Sequence, residues 1–251
     1  MKNTTTAPIK GKGSLAVSNK RIAIILILSV LLVMVGCERV LNAPTYNNMS
    51  AYEKNSEIIG EERDKIVGKV SQTIFDAVDR DNSKGQNVGI VDIPKSGKRA
   101  FVPEGRYEIF AGESGNVVVH DLEGHPVISE TFDRFYGVDN SITVNIGREH
   151  TVFFNGGING ATILHAETQI SNDLTAGIWE VGVDIEAGAY TVTTEDHLVG
   201  HLQILEPDKE VRVFELVGGG AIQTKSEVQL VEGQILKITG VKLVHFEPVE
   251  K

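Results

Sequence analysis

Cysteine is all but missing from this chain: Cys37 is the only one among 251 residues. No intrachain disulfide can staple the fold, so its core must come from packing alone. Aromatic residues are scarce, at 6% with a single Trp, which counts against a broad aromatic platform for carbohydrate. There is no G-x-S-x-G segment and no thiol besides Cys37, which removes the commonest nucleophile settings. The glycine-rich stretches "FNGGINGA" and "LVGGGAIQTK" lack the Gly-Lys-Ser/Thr ending of a phosphate cradle, and glycines between strands make turns and bulges. Carboxylates are plentiful, but no pair stands out as an acid and its base.

Acidic side chains are absent from residues 1–36, which hold Lys2, Lys10, Lys12, Lys20 and Arg21. From Ile22 to Cys37 the chain is uncharged, mostly Ile, Leu and Val, and Glu38 follows. A basic leader, an apolar run and a small residue at the break have the build of a secretory signal. As a helix the run reaches roughly 24 Å, against about 30 Å of hydrocarbon core, so a retained transmembrane anchor is the second reading. The residues "MVGC" resemble the lipobox of bacterial lipoproteins, with Met34 where that family usually has Leu. The resemblance implies cleavage after Gly36, a lipid such as palmitate on Cys37, and a cell membrane location facing outside the cytoplasm.

Five of the 24 basic side chains and none of the 34 acidic ones lie in residues 1–36, so residues 37–251 carry 19 against 34, a net of −15. Such a surface repels phosphates and anionic headgroups, which excludes nucleic acid as a partner. Residues 37–55 are polar and without a sustained period, and predict a flexible tether. Residues 56–79 carry Ile59, Ile66, Val67, Val70, Ile74 and Val78 mostly three or four apart, and predict one amphipathic helix. In "DRDNSKGQN", Asp79, Asp81 and Ser83 have calcium-loop spacing, but Lys84 and Ile90 stand where Gly and Glu are needed, so a turn is expected.

From about Val88 the rhythm changes to short alternating runs rich in Val, Ile and Thr, with turns every eight to twelve residues. This predicts an all-β chain of sandwich or barrel type. An internal repeat organises it. "PEGRYEI" answers "EAGAYTV", pairing Gly105 with Gly188 and Tyr107 with Tyr190. "ISETF" answers "VFELV", pairing Glu130 with Glu215. "SITVNIGREHTVFF" answers "SEVQLVEGQILKITG", pairing Gly147 with Gly233. Two tandem β-sandwich, jelly-roll-like domains follow, at 88–167 and 172–251, with matched turns at Gly105 and Gly188. The second contains "WEVGVDIEAGAYTV", which resembles the "VG-x-DI-x-AG-x-Y" segment of small β domains in secreted and lipid-anchored bacterial proteins. That implies an extracytoplasmic β fold and no settled activity. Read from the residues, Trp179, Val181, Val183 and Ile185 alternate along one strand face, and Trp179 and Tyr190 belong to the core.

Two places invite a functional reading. His197 and His201 in "EDHLVGH" are four apart, but on a strand that spacing separates them by some 13 Å, too far to share an ion. His120 and His125 flank a hairpin turn at "DLEG". The loop "DRFYGVDNS" gathers Arg134, Phe135, Tyr136, Asp139 and Asn140, suited to sugar or peptide contact, whereas its counterpart in the second copy is small and glycine-rich. The alternative is that Phe135 plugs one end of the sandwich. The expectation is a non-enzymatic, membrane-anchored lipoprotein, without cofactor or metal, presenting β-sandwiches to a ligand, an envelope protein or a glycan. The alternative is a metal-dependent or hydrolytic surface enzyme working through His197 and His201.

Overall fold

The computed structural model describes residues 43–250, leaving out 82–85, 113, 134, 136, 139, 140, 157, 221 and 222. The predicted leader, the lipobox-like segment and Cys37 lie outside the described residues. Helix α1 spans Ala43–Asn55, strand β1 Glu57–Ile58, helix α2 Glu61–Val67, and a 3₁₀ turn Gln72–Phe75. The tether is therefore helical over most of its length, with Pro44 in the first turn, where a missing N–H is harmless. The single helix expected over 56–79 does not form. Ser56, Gly60 and Gly68 have φ of 51°, 72° and 58°, which an α-helix cannot accommodate. Its apolar residues separate accordingly: Ile58 is buried on β1 and Ile74 on the 3₁₀ turn, while α2 buries nothing.

Fourteen strands follow, and the predicted all-β class holds. The first set is β2 (Val88–Val91), β3 (Lys98–Ala100), β4 (Gly105–Ala111), β5 (Gly115–His120), β6 (Pro126–Phe132), β7 (Ser141–Ile146), β8 (Thr151–Asn155) and β9 (Gly160–His165). They pair in the orders β2-β9-β4-β7 and β3-β8-β5-β6, the two four-stranded sheets of a jelly roll. The second set is β10 (Asp173–Glu180), β11 (Gly188–Thr193), β12 (Val199–Leu205), β13 (Arg212–Val217), β14 (Ser226–Leu230) and β15 (Ile235–Pro248). Here two strands each serve both sheets. The first half of β15 pairs with β12 and the second half with β11, while β10 pairs with both halves of β15 across a bulge between Thr175 and Gly177. Splitting β10 and β15 at these bends reproduces the pairing orders of the first set. Gly240 (φ 76°) lies where β15 changes sheets.

The repeats, I and II, lie in one compact unit running from Asn47 to the C-terminus. They share a sheet, because β7 and β10 pair in parallel through Thr143 and Gly177. A Cβ on Gly177 would sit 2.2 Å from the carbonyl oxygen of Thr143, so only glycine permits this approach. Each repeat keeps its own apolar cluster, but Ala176, Ile178, Leu205 and Ile235 of repeat II pack into that of repeat I. Both repeats also tie a turn to a tyrosine four residues on. Tyr107 Oη donates to Pro103 O and Tyr190 Oη to Glu186 O, each at 2.9 Å, the geometry of a tyrosine corner.

Three local expectations need correction. β10 ends at Glu180, and Val181–Ile185 is a turn closed by a bridge between Val181 and Ile185, so Trp179 to Ile185 do not alternate along a strand. The left-handed residue there is Gly182 (φ 94°), whereas neither Gly105 nor Gly188 is among the glycines with positive φ. Glu130 and Glu215 are not equivalent either. Glu130 pairs with the core residue Val117, while Glu215 stands between core residues Phe214 and Leu216 and faces away from them.

Candidate functional site

Of the loop residues proposed for ligand contact, Arg134, Tyr136, Asp139 and Asn140 lie outside the described residues. Phe135 is 71% exposed, so it does not plug the sandwich. Its N–H donates to Asp133 Oδ1 at 2.8 Å, and Asp133 also accepts from Ser114.

His197 is exposed in the loop before β12, while His201 lies within β12, cross-strand from Glu215. Burial holds the His201 imidazole below its usual pKa, against the pull of Glu215 and Glu62. Among the described residues no three His, Cys, Asp or Glu side chains stand together in a metal-holding group. His120 and His125 do flank a turn, in which Gly124 N–H donates to Asp121 O at 3.1 Å. The histidine that sequence reasoning missed is His150. Its Nδ1 accepts from Gly147 N–H at 3.0 Å, which leaves the proton on Nε2. A directional chain follows: His150 Nε2 donates to Thr73 (2.6 Å), Thr73 to Ser71 (2.6 Å), and Ser71 to Asp121 Oδ2 (2.5 Å). Ser, His and Asp are all present, yet the order is wrong for a nucleophile, since the serine proton goes to the carboxylate and Ser71 is fully buried. The chain instead pins the 3₁₀ turn to the end of repeat I. No local signal could reveal it, because the four residues are up to 79 positions apart.

The junction of the repeats carries the densest chemistry. Asp184, buried in the turn after β10, accepts from Arg80 at 2.9 and 3.0 Å, pairs with Arg106 at 3.0 Å, and accepts from Glu180 N–H at 2.8 Å. Arg80 also reaches Glu180 at 2.9 Å. Arg106, fully buried on β4, donates to Asn145 at 2.9 Å and lies 4.9 Å from the centre of the Trp179 ring. Burial brings its guanidinium down to about 10, with Asp184 opposing the fall, so it stays charged at neutral pH. The junction is thus closed by two cations and two carboxylates drawn from repeat I, repeat II and the segment before them. Trp179 is only half-buried, and its Nε1 donates to Thr175 O at 2.9 Å.

Beside this cluster lies a groove of about 480 Å³. Repeat I lines it with Glu108, Thr143 and His165, repeat II with Asp173 and Trp179, and the connecting segment with Gln169. Ser141 donates to Glu108, Asp173 bonds His245 at 2.7 Å, and the ring of His165 packs edge-on against Tyr107. The Nε2 atom of His165 is buried without a hydrogen-bond partner. Among the described residues, no Lys or Arg lines the groove. It offers a carbohydrate-like or peptide ligand one indole, an imidazole, an amide, hydroxyls and carboxylates, and it repels anions. Two more buried titratable groups, Glu130 and Lys237, lie at the seam. Burial raises Glu130 to about 7, although its Oε1 accepts from Gly240 N–H at 3.1 Å. Burial likewise lowers Lys237, so desolvation outweighs the attraction between the two.

A search of protein-family models and of curated proteins finds no match to the chain.

Proposed function

We propose that the chain is a lipid-anchored extracytoplasmic binding protein whose ligand lies in the groove between the repeats. The anchor rests on the basic leader, the apolar run and "MVGC"; the binding role rests on the groove itself. That groove carries the reading, because neither repeat makes it alone. Glu108 and Thr143 come from one, Trp179 and Asp173 from the other, and the close approach at Gly177 fixes their spacing.

Trp179 is the only tryptophan, so its fluorescence reports on this groove without labelling. Titration with neutral oligosaccharides and with peptides from envelope extracts should shift that emission for a true ligand. Gln169→Ala with Asp173→Ala should abolish the shift and leave the melting curve in place. Ligand capture with unchanged Trp179 emission would move the binding face elsewhere. The anchor is tested separately: the chain should incorporate labelled fatty acid, and Cys37→Ala should not.

A further inference from the structure

The two ends of the shared sheet are treated differently. On repeat I, the trailing strand β7 is covered by repeat II, at the bridge between Thr143 and Gly177. The register places Thr143 opposite Glu108 in repeat I and Glu227 opposite Thr191 in repeat II, each one residue from the tyrosine-corner pair. Glu227 is therefore the counterpart of Thr143, and its backbone is also occupied. Asn55 Oδ1 accepts from Glu227 N–H at 2.7 Å, and Asn55 Nδ2 donates to Glu227 O at 2.9 Å. A side-chain amide at the end of α1 thus takes the place of a peptide group. The same segment covers the other trailing strand. Ile58 and Glu57 of β1 pair with Val213 and Phe214 of β13, Glu215 N–H donates to Ser56 O at 2.9 Å, and Tyr52 Oη donates to Glu215.

We infer that residues 52–58 are a displaceable cap, and that the β13–β14 edge beneath them is a docking edge for the leading edge, β2–β3, of a second copy of this chain. The cap occupies on repeat II the position that repeat II occupies on repeat I, so the docking surface continues an interface already built within the chain. Repeating it from chain to chain gives a heterologous, head-to-tail contact, which builds a ring or an open filament according to the rotation it imposes. The leading edge suits the role. Val91 and Phe101 are 65% and 74% exposed there, and Lys95, Lys98 and Arg99 are exposed beside them on an otherwise acidic body. The loop 92–97, with Pro94, stands where repeat II has its Gly177 bulge. The fit in trans is therefore poorer than in cis, and an intact cap keeps chains apart.

The test uses the full chain with Cys37→Ala in mild detergent, by sedimentation. The wild-type cap should give monomers. Tyr52→Phe with Asn55→Ala should give a mass that rises at least twofold over roughly 10–200 µM. Adding Val91→Asp and Phe101→Asp should return it to monomer. The idea fails if the released variant stays monomeric while protease cuts after Lys54, or if it assembles regardless of Val91 and Phe101. Should that double release unfold the chain, the milder single change Asn55→Ala decides the matter, carried with Glu227→Cys and mixed under oxidant with a Val91→Cys chain. A 227–91 disulfide dimer supports the docking edge, and its absence overturns it.

Discussion

Repeats I and II share a pairing order, yet the same short motif ends differently in each. In "VGIVDI" of repeat I, Asp92 sits at φ 54° and is exposed, while Ile93 turns inward. In "VGVDI" of repeat II, Gly182 takes the left-handed position, and Asp184 is buried under Arg80 and Arg106. An aspartate in nearly the same local sequence is a surface residue in one copy and the centre of the junction in the other. What differs is where the motif stands: Asp92 opens the loop between β2 and β3, at the place of the Gly177 bulge, whereas Asp184 lies in the turn after β10. Repeat I looks onto solvent at this point, whereas repeat II meets two guanidinium groups from outside itself. Position in the fold, not the shared local sequence, sets the role of each aspartate.

The comparison breaks most visibly at those two residues. Asp184→Ala should destabilise the chain by about 3–5 kcal/mol, because it leaves buried cations uncompensated. Asp92→Asn, which keeps a side chain that tolerates the left-handed φ, should stay within about 0.5 kcal/mol, as surface changes do. Paired urea melts will show the contrast, and equal effects would mean that the junction cluster contributes nothing of its own. The tyrosine corners should behave alike. Tyr107→Phe and Tyr190→Phe each remove one hydrogen bond to a turn carbonyl, a loss of about 0.5–1.5 kcal/mol apiece. A large asymmetry would show that the repeats are similar in topology but not in how their turns are held.

The smallest effect distinguishes the repeats by pH. The residue just before β8 is His150, which accepts the N–H of Gly147; the residue just before β15 is Gln234, which accepts the N–H of Val231 at 2.8 Å. Both close the turn three residues back, but only the histidine titrates. Burial holds its folded pKa below the unfolded value of about 6.5, so the unfolded chain binds the proton more readily. Stability is thus lost as pH falls below about 6.5 and levels off below the folded pKa. His150→Gln should flatten part of this slope in melts between pH 7 and pH 5, leaving the share of His201, which is shifted the same way. Glu130 acts in the opposite sense. Its folded pKa of about 7 lies above the ordinary carboxylate value, so its contribution weakens as pH rises toward 7, and Glu130→Gln removes that trend.

Much of the fold was legible because it rests on local pattern. Alternation announced the strands from Val88 onward, and the recurrence of Gly-x-Tyr announced a repeat whose tyrosines make the same bond. The helix over 56–79 does not form for a physical reason. Counting apolar residues three or four apart ignores Gly60 and Gly68, which take backbone angles that end a helix whatever lies around them. Glu130 and Glu215 differ in burial because a shared glutamate carries no information about which face a strand turns inward. The junction was beyond local pattern altogether. Arg80 lies 104 residues from Asp184 and reads as one more charge in a polar turn. The groove inherits that difficulty, since alternation places Trp179 in the core and only the approach of repeat I to repeat II makes it a groove wall.

The amide clasp of Asn55 on Glu227 joins residues 172 positions apart. A ribosome delivers the chain from its N-terminus, so Asn55 is made early and its partner strand nearly last. Repeat I can pair its own strands before repeat II exists, because its contacts close within about eighty residues of chain. The segment 52–58 has no edge to settle on until β13 and β14 have been released and folded. The first part of the body to be synthesised is therefore the last to find its place, and each newly made molecule passes through a stage in which its trailing edge is bare.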